Sequence, residues 1–407
     1  MNLFDIIKKQ YEKALQVTPI SEDIKTILSE PQKEITINFP VKLSSGQIQL
    51  FKGYRVQHNN LLGPYKGGLR FHQDVNLDEC KALSFWMTIK CSLQNLPFGG
   101  GKGGIAFNPL EYNKDDLKEI SKQFMVHLYR NIGSDIDVPA PDVGTNEQIM
   151  DWMTHKYSSL SNKKDLAVFT GKSLINGGAE GRSNATGLGV KYCIIKWAEL
   201  NGIDLNKKTF ILQGFGNVGS NTAILLHDLG LKLIAVGDHT CYLSNPEGFN
   251  IPDLYEYNKK NRSIKNFPGK LITKNEFFSI KCDIVIPAAL ELQIDKNIAQ
   301  LLDCSLIIEA ANGPTDNDAD EILEERGIDL IPDILANSGG VAVSYLEWVQ
   351  NKQYASFDLE YVNSWLEKKM FNTYTKVHQL SKKLGISKRV SSYYLALTNI
   401  DQKYQCL

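Results

Sequence analysis

Apolar and polar positions change their period several times along the chain, and each change predicts an element. Over residues 4–28 apolar positions recur at helical spacing with charges between them, which predicts one or two amphipathic helices. Over residues 34–56 the segments EITINFPVKL and IQLFKGYRVQH alternate apolar and polar residues around SSG, the pattern of two strands and a turn. LLGPYKGGLRFHQDV reads as a glycine-rich loop returning to a strand, and residues 77–92 resume a helical period. The run LPFGGGKGGI, residues 96–105, reads as a glycine loop, and residues 115–131 predict a long helix opened by Asp115 and Asp116. IDVPAPDVGT is too rich in proline for a helix.

Near Thr170 the texture shifts to small and polar residues, TGKSLINGGAEGRSNATG, ahead of a helical stretch, GLGVKYCIIKWAEL. TFILQGFGNVGSNTAILLHDLG then reads as strand, glycine turn and helix. LKLIAVGD, CDIVIPAA and SLIIEAAN read as further strands separated by helical stretches. Strand alternating with helix predicts an α/β fold with a parallel sheet covered on both faces. From Gly340 onward the pattern is mostly helical.

Bulk properties narrow the class. A chain of 407 residues suggests two or three domains, and 43% hydrophobic with 22% charged residues is ordinary for a globular protein. A net charge of −1 gives no electrostatic case for nucleic acid or an anionic membrane as partner. The seven cysteines form no C-x-x-C pair, which points to reduced thiols and to no metal site. The first residues lack the basic start and unbroken apolar core of a signal peptide, and no apolar run spans a membrane, so a cytoplasmic location is expected.

Two sets of residues carry chemistry. Gly214, Gly216 and Gly219, with Asn217 and Val218 between, form a G-x-G-x-x-G between a strand and a helix. In that context the first glycine permits the tight turn, the second lets a pyrophosphate approach, and the third allows close helix–strand packing, with the helix N-terminus facing the negative charge. Asp238 follows the next strand, where a carboxylate would bond a ribose 2′-hydroxyl. This favours NAD; NADP stays open because His239 or a nearby lysine would offset the carboxylate. The second set lies earlier. Lys66 and Lys102 both stand before paired glycines, and Lys90 ends an apolar helical stretch. Clustered ammonium groups suit a substrate with several carboxylates and depress the pKa of the least solvated amine. Asp142, directed by Pro139 and Pro141, is the candidate for proton transfer.

LLGPYKGGLRFH, MTIKCSLQNLPFGGGKGGI, IDVPAPDVGT, TGKSLINGGAEGRSNATGLGV, GFGNVGS, CDIVIPAA, EAANGPT and NSGGVAVSYLEWVQN occur in this order. With them the chain resembles the glutamate/leucine/phenylalanine/valine dehydrogenase family from about residue 35 to its end. The resemblance implies an N-terminal α/β domain for substrate and oligomerisation (residues 1–183, with a last helix at about 385–407 returning to it). It further implies a Rossmann-like dinucleotide-binding domain (184–345), connecting helices (346–384) and an active site in the cleft between domains. It implies reversible NAD(P)-dependent oxidative deamination of an L-amino acid to a 2-oxo acid and ammonia. Lys102 matches the lysine that polarises the carbonyl and activates water, Asp142 the aspartate that exchanges protons with the amine, and Lys90 the residue on the α-carboxylate. Thr186 and Asn312 match positions near the cofactor, and Asn337 one lining the cleft beside them. Gln73, Ser173, Glu180 and Ala310 depart from the residues usual in the family.

Lys66 and Ser344 match the positions that hold the distal carboxylate in glutamate enzymes, and Gly67, Ala140 and Val341 match that pocket. A buried ammonium left facing an aliphatic side chain would cost on the order of several kcal/mol. L-Glutamate, 2-oxoglutarate and ammonium are therefore the expected substrates. The alternatives are an aliphatic leucine/valine-type dehydrogenase, against which Lys66 and Ser344 speak, and a catalytically silent paralogue. The resemblance also implies a homo-oligomer, a hexamer.

Overall fold

The alternating segments near the start of the chain form an antiparallel pair, β1 (Lys33–Lys42) and β2 (Ile48–Asn59), in the computed structural model, which describes residues 3–406. Three more strands complete a five-stranded sheet: β3 (Tyr65–Phe71), β4 (Gly100–Ile105) and β5 (Asp137–Pro141), in the order β1-β2-β4-β3-β5. β4 runs antiparallel to β2 and parallel to β3, which runs parallel to β5. β5 stands at an edge of the sheet, where the N–H groups missing from Pro139 and Pro141 cost little.

The glycine run around Lys102, expected as a loop, is strand β4, buried along its length and paired on both sides. Packing explains the glycines. A Cβ on Gly100 would overlap the Thr88 hydroxyl and the Ser84 carbonyl of the helix Leu77–Leu93. On Gly103 it would overlap the Tyr54 carbonyl of β2, and on Gly104 the Arg70 carbonyl of β3. Close approach of helix and strands thus overrides the poor strand propensity of glycine.

One face of this sheet presents Leu69, Phe71 and Ile105, with Phe39 and Phe51, to Phe124 and Met125 of the helix Lys114–Leu128 and to Met150 and Met153 of the helix Glu147–Ser161. Phe39, Phe71 and Phe124 are fully buried, each stabilising by about 1.5–3 kcal/mol. The helix Leu77–Leu93 supplies Cys80 to a smaller cluster with Tyr54, Val56 and Val75.

The second sheet has seven strands: β6 (Thr209–Gln213), β7 (Lys232–Gly237), β8 (Tyr242–Ser244), β9 (Lys270–Ile272), β10 (Ile284–Pro287), β11 (Leu306–Ile308) and β12 (Asp329–Ile331). Their order is β12-β11-β10-β6-β7-β8-β9. β12 through β7 are parallel as expected; β8 and β9 are antiparallel. These two and β12 are as short as β11, three residues each, but lack its apolar run LII followed by small residues, so polar neighbours hide them in the sequence. β6 lies between β7 and β10, so the winding reverses there and opens a crevice at the carboxyl ends of the strands.

The chain divides into two compact units. One comprises Leu15–Arg182, Val341–Asn363 and the residues from Tyr394 on; the other comprises the residues up to Ala14, Ser183–Gly340 and Ser364–Tyr393. Four segments depart from the expected boundaries. Residues up to Ala14 belong with the second sheet, where the Ile6 carbonyl accepts from Asn317 Nδ2 at 3.4 Å and Gln10 Oε1 accepts from Tyr393. Val341 and Ser344 belong with the first sheet, and the connecting helices are shared between the units. Residues 385–393, expected with the first unit, belong with the second sheet, and only the chain from Tyr394 bonds the first: Ser92 Oγ donates to the Ala396 carbonyl at 2.6 Å, and Ser21 Oγ to Asp401 at 2.6 Å. Among the described residues no helix is long and apolar enough to cross a membrane.

Candidate active site

Lys66, Gly67, Lys90, Lys102, Ala140, Asp142, Val341 and Ser344 all fall in the unit of the first sheet. Lys66 and Gly67 lie on β3, Lys102 on β4, and Ala140 on β5 with Asp142 just beyond it. Lys90 is buried in the last turn of the helix Leu77–Leu93. Val341 and Ser344 come from the helix Gly339–Gln353. A Cβ on Gly67 would overlap the Gly101 carbonyl, so strand packing alone requires glycine there.

Lys102 is buried and its ammonium donates to Asp142 Oδ2. Burial pushes the Lys102 pKa well below the ordinary lysine value; the Arg70 and Lys90 cations push the same way, while Cys80 and Glu79 oppose them. The other Asp142 oxygen accepts from the Val143 amide at 2.7 Å. The Asp142 amide donates to Thr145 Oγ1 at 2.7 Å, and that hydroxyl is in turn 2.9 Å from the Leu69 carbonyl of β3. The carboxylate is therefore fixed in direction by its own turn.

Lys66 is more deeply enclosed, with one hydrogen bond to the Val138 carbonyl at 3.1 Å. Burial lowers its pKa to about 7, assisted by the Arg182 and Arg55 cations and opposed by Cys91 and Glu347. Ser344 is buried and accepts from Arg182 Nε at 3.0 Å. The result is a concentrated positive region with polar donors, suited to an organic anion.

In the other unit, the glycine turn meets the geometric demands of a dinucleotide site. Gly214 has φ +97°, a conformation that favours glycine. A Cβ on Gly219 would overlap the Gly214 carbonyl, whereas one on Gly216 would meet no atom within 4 Å. Gly216 caps the helix Asn217–His227 without a capping side chain, leaving backbone donors at its N-terminus for an anion. Gly214, Gly216, Asn217 and Asp238 line a cavity of about 760 Å³, with Ala288 beyond β10 and Lys259. Val218 is half-buried in the first helical turn, where its carbonyl accepts from Thr222 at 2.7 Å. Thr186, in the first turn of the helix Ala185–Asn201, Asn312 and Asn337 belong to the same unit but do not line this cavity. Asn337 Nδ2 donates to Asn312 Oδ1 at 2.9 Å.

Asp238 also has a task within the protein. One carboxylate oxygen accepts from the Thr240 amide at 2.7 Å, the Thr240 hydroxyl and the Cys241 amide, and the other from the Ile264 amide at 2.8 Å. Burial raises its pKa, but these hydrogen bonds outweigh burial and hold the carboxyl below the ordinary aspartate value.

Residues 177–406 match the family description Glutamate/Leucine/Phenylalanine/Valine dehydrogenase, and residues 31–159 match Glu/Leu/Phe/Val dehydrogenase, dimerisation domain. The chain belongs to the glutamate/leucine/phenylalanine/valine dehydrogenase family. Among relatives, it is 42% identical to the glutamate dehydrogenase of Thermotoga maritima over 98% of this chain and 96% of that one. It is also 42% identical to the catabolic NAD-specific glutamate dehydrogenase RocG of Bacillus subtilis, over 97% of this chain and 93% of that one. A hetero-hexameric glutamate dehydrogenase from Thermus thermophilus, in a leucine-bound form, superposes with a TM-score of 0.96 at 30% identity, covering 99% of this chain and 96% of that one.

Four residues of this family member escaped the motif reading. Arg70 and Glu79 pair beside Asp142, Arg182 bonds Ser344, and buried Glu347 receives Lys172 Nζ at 2.8 Å and the Gly171 amide at 2.8 Å. A sequence signal existed for Arg70 alone: along β3 the period of two puts it on the same side as Lys66 and Gly68.

Proposed function

We propose that this protein is an NAD-dependent glutamate dehydrogenase, which converts L-glutamate, water and NAD to 2-oxoglutarate, ammonium, NADH and a proton, and runs in reverse when ammonium is supplied. The observation that carries the choice of glutamate is Lys66, a buried amine with Ser344 and Arg182 at the same end of the site. Such a group gains a partner from a distal carboxylate and is left unpaired by an aliphatic side chain, the condition for strong discrimination.

Lys66 and Ser344 would hold the far carboxylate and Lys90 the near one, with Gly67, Ala140 and Val341 shaping the pocket. Asp142 takes a proton from the substrate ammonium, freeing the nitrogen lone pair. Gly214, Gly216, Gly219 and the amides of Asn217 and Val218 would hold the nicotinamide cofactor, which would supply the acceptor for the hydride leaving Cα. Thr186, Asp238, Asn312 and Asn337 would complete its surroundings. Lys102, its pKa depressed by burial, accepts a proton from the water that adds to the imine carbon. Asp142 returns its proton to the carbinolamine nitrogen; as the C–N bond breaks, the hydroxyl proton leaves with the ammonia as ammonium, and the Lys102 ammonium stabilises the new carbonyl oxygen before releasing its own proton to solvent.

We further propose a homo-hexamer in the cytoplasm. The match to a dimerisation domain supports self-association, the hetero-hexameric structural neighbour supports an assembly of six, and seven unpaired cysteines support the location. Steady-state rates with 2-oxoglutarate or 4-methyl-2-oxopentanoate, each with ammonium and with NADH or NADPH, test the reading. The expected result is turnover of 2-oxoglutarate with NADH; turnover of the branched acid alone would sink it, and no turnover with any pair would mark a silent paralogue.

A further inference from the structure

Arg70 is the second cation beside Asp142. Its side chain leaves β3 on the same side as Lys66 and Gly68, and one terminal nitrogen is bound to Glu79 Oε1 in the first turn of the helix Leu77–Leu93. The other terminal nitrogen lies 3.6 Å from Asp142 Oδ1, while Asp142 Oδ2 takes the Lys102 ammonium. The carboxylate thus stands between two cations, one on each oxygen. Arg70, Glu79 and Asp142 are all largely buried, so solvent screens them little. Arg70 Nε is buried with no hydrogen-bond partner.

We propose that Arg70, anchored by Glu79, is a positioning residue that aims the Asp142 carboxylate at Lys102 and supplies the positive field in which that pair works. The inference rests on the roles given above to Lys102 and Asp142. Charged and titratable groups face Lys102 from three directions: Glu79, Cys80 and Lys90 on the helix, Arg70 on β3, and Asp142 beyond β5. Of the charges, Arg70 contributes the largest push toward the neutral amine. Lys102 must be neutral to accept a proton from water, so removing Arg70 makes the base scarcer at neutral pH and leaves it available at high pH.

The test is the pH dependence of kcat for glutamate oxidation. Arg70→Gln is expected to lower kcat about tenfold near neutral pH, with most of the loss recovered as pH rises. Glu79→Gln removes an anion, keeps both cations, and is expected to move the acid limb the opposite way; it also serves if Arg70→Gln folds poorly. Arg70→Lys keeps the charge and should keep the position of the limb while lowering its plateau. A uniform loss in Arg70→Gln at every pH, or a limb unmoved in both Gln variants, overturns the inference. Lys102→Ala separates the two levels: turnover surviving in that variant overturns the underlying roles, whereas its loss together with an unmoved Arg70→Gln profile overturns only the part given to Arg70.

Discussion

Lys102 of β4 and Asp142 beyond β5 pair although β3 lies between their strands. Gly68 of β3 makes this contact possible. A Cβ at that position would stand 2.8 Å from Asp142 Cβ and 3.0 Å from Asp142 Oδ2, closer than side chains tolerate. Gly68→Ala should therefore push the carboxylate off the lysine. We expect kcat to fall at least about tenfold, since small misplacements of a proton-transfer group are costly, with NADH binding unchanged in a fluorescence titration. Normal kcat would show that Asp142 relocates without consequence.

Removing either member of the pair should be more severe. Lys102→Ala and Asp142→Asn are each expected to lower kcat at least about 100-fold, the range for loss of a positioned acid or base. Both should still bind NADH, because the glycine turn belongs to the other unit. Loss of NADH binding in either variant would place these residues at the cofactor instead.

Lys66 links specificity to pH. Its pKa in the folded protein is about 7, against 10.5 ordinarily. Between these values the unfolded chain holds a proton that the folded chain has released, so this group makes stability rise with pH across that window; below about pH 7 its full cost is present. Lys66→Met should raise Tm more at about pH 6 than at about pH 9. The same substitution should raise KM for 2-oxoglutarate at least about 100-fold. An unchanged KM would remove Lys66 from the distal carboxylate.

The three glycines of the nucleotide turn should separate by measurement. Gly216→Val has open space at its Cβ and should leave Tm within a few degrees while weakening NADH binding about tenfold or more. Gly219→Val drives a side chain into the Gly214 carbonyl and should lower Tm as well. Equal effects of the two variants on Tm would contradict this division of labour.

Arg55 and Asp137 form an ion pair with both side chains fully buried, and Arg55 also donates to the Gly67 carbonyl at 3.2 Å and the Gly68 carbonyl at 3.3 Å. Asp137→Ala would strand the guanidinium and is expected to cost about 3–5 kcal/mol, read as a lower midpoint in urea. A change under about 1 kcal/mol would mean that water reaches Arg55.

Chain order alone determined several features. Hairpin β1–β2, the strands β6, β7, β10 and β11, and the G-x-G-x-x-G turn were legible because each is defined by a period or a turn within a short segment. Family membership was legible because motifs with separate tasks occur in one order. The tertiary structure alone decided the rest. Glycine in a sequence signals backbone freedom, and only the neighbours of Gly100, Gly103 and Gly104 reveal that β4 is a strand whose side chains would collide. The pairing of Arg182 with Ser344 joins residues 162 apart, and Arg70 of β3 reaches Asp142 at the end of the neighbouring strand β5, 72 residues on. Such contacts depend on how elements pack, which no local period encodes. The same reason explains why Val341 and Ser344, close in sequence to the nucleotide-binding segment, belong with the lysines of the first sheet.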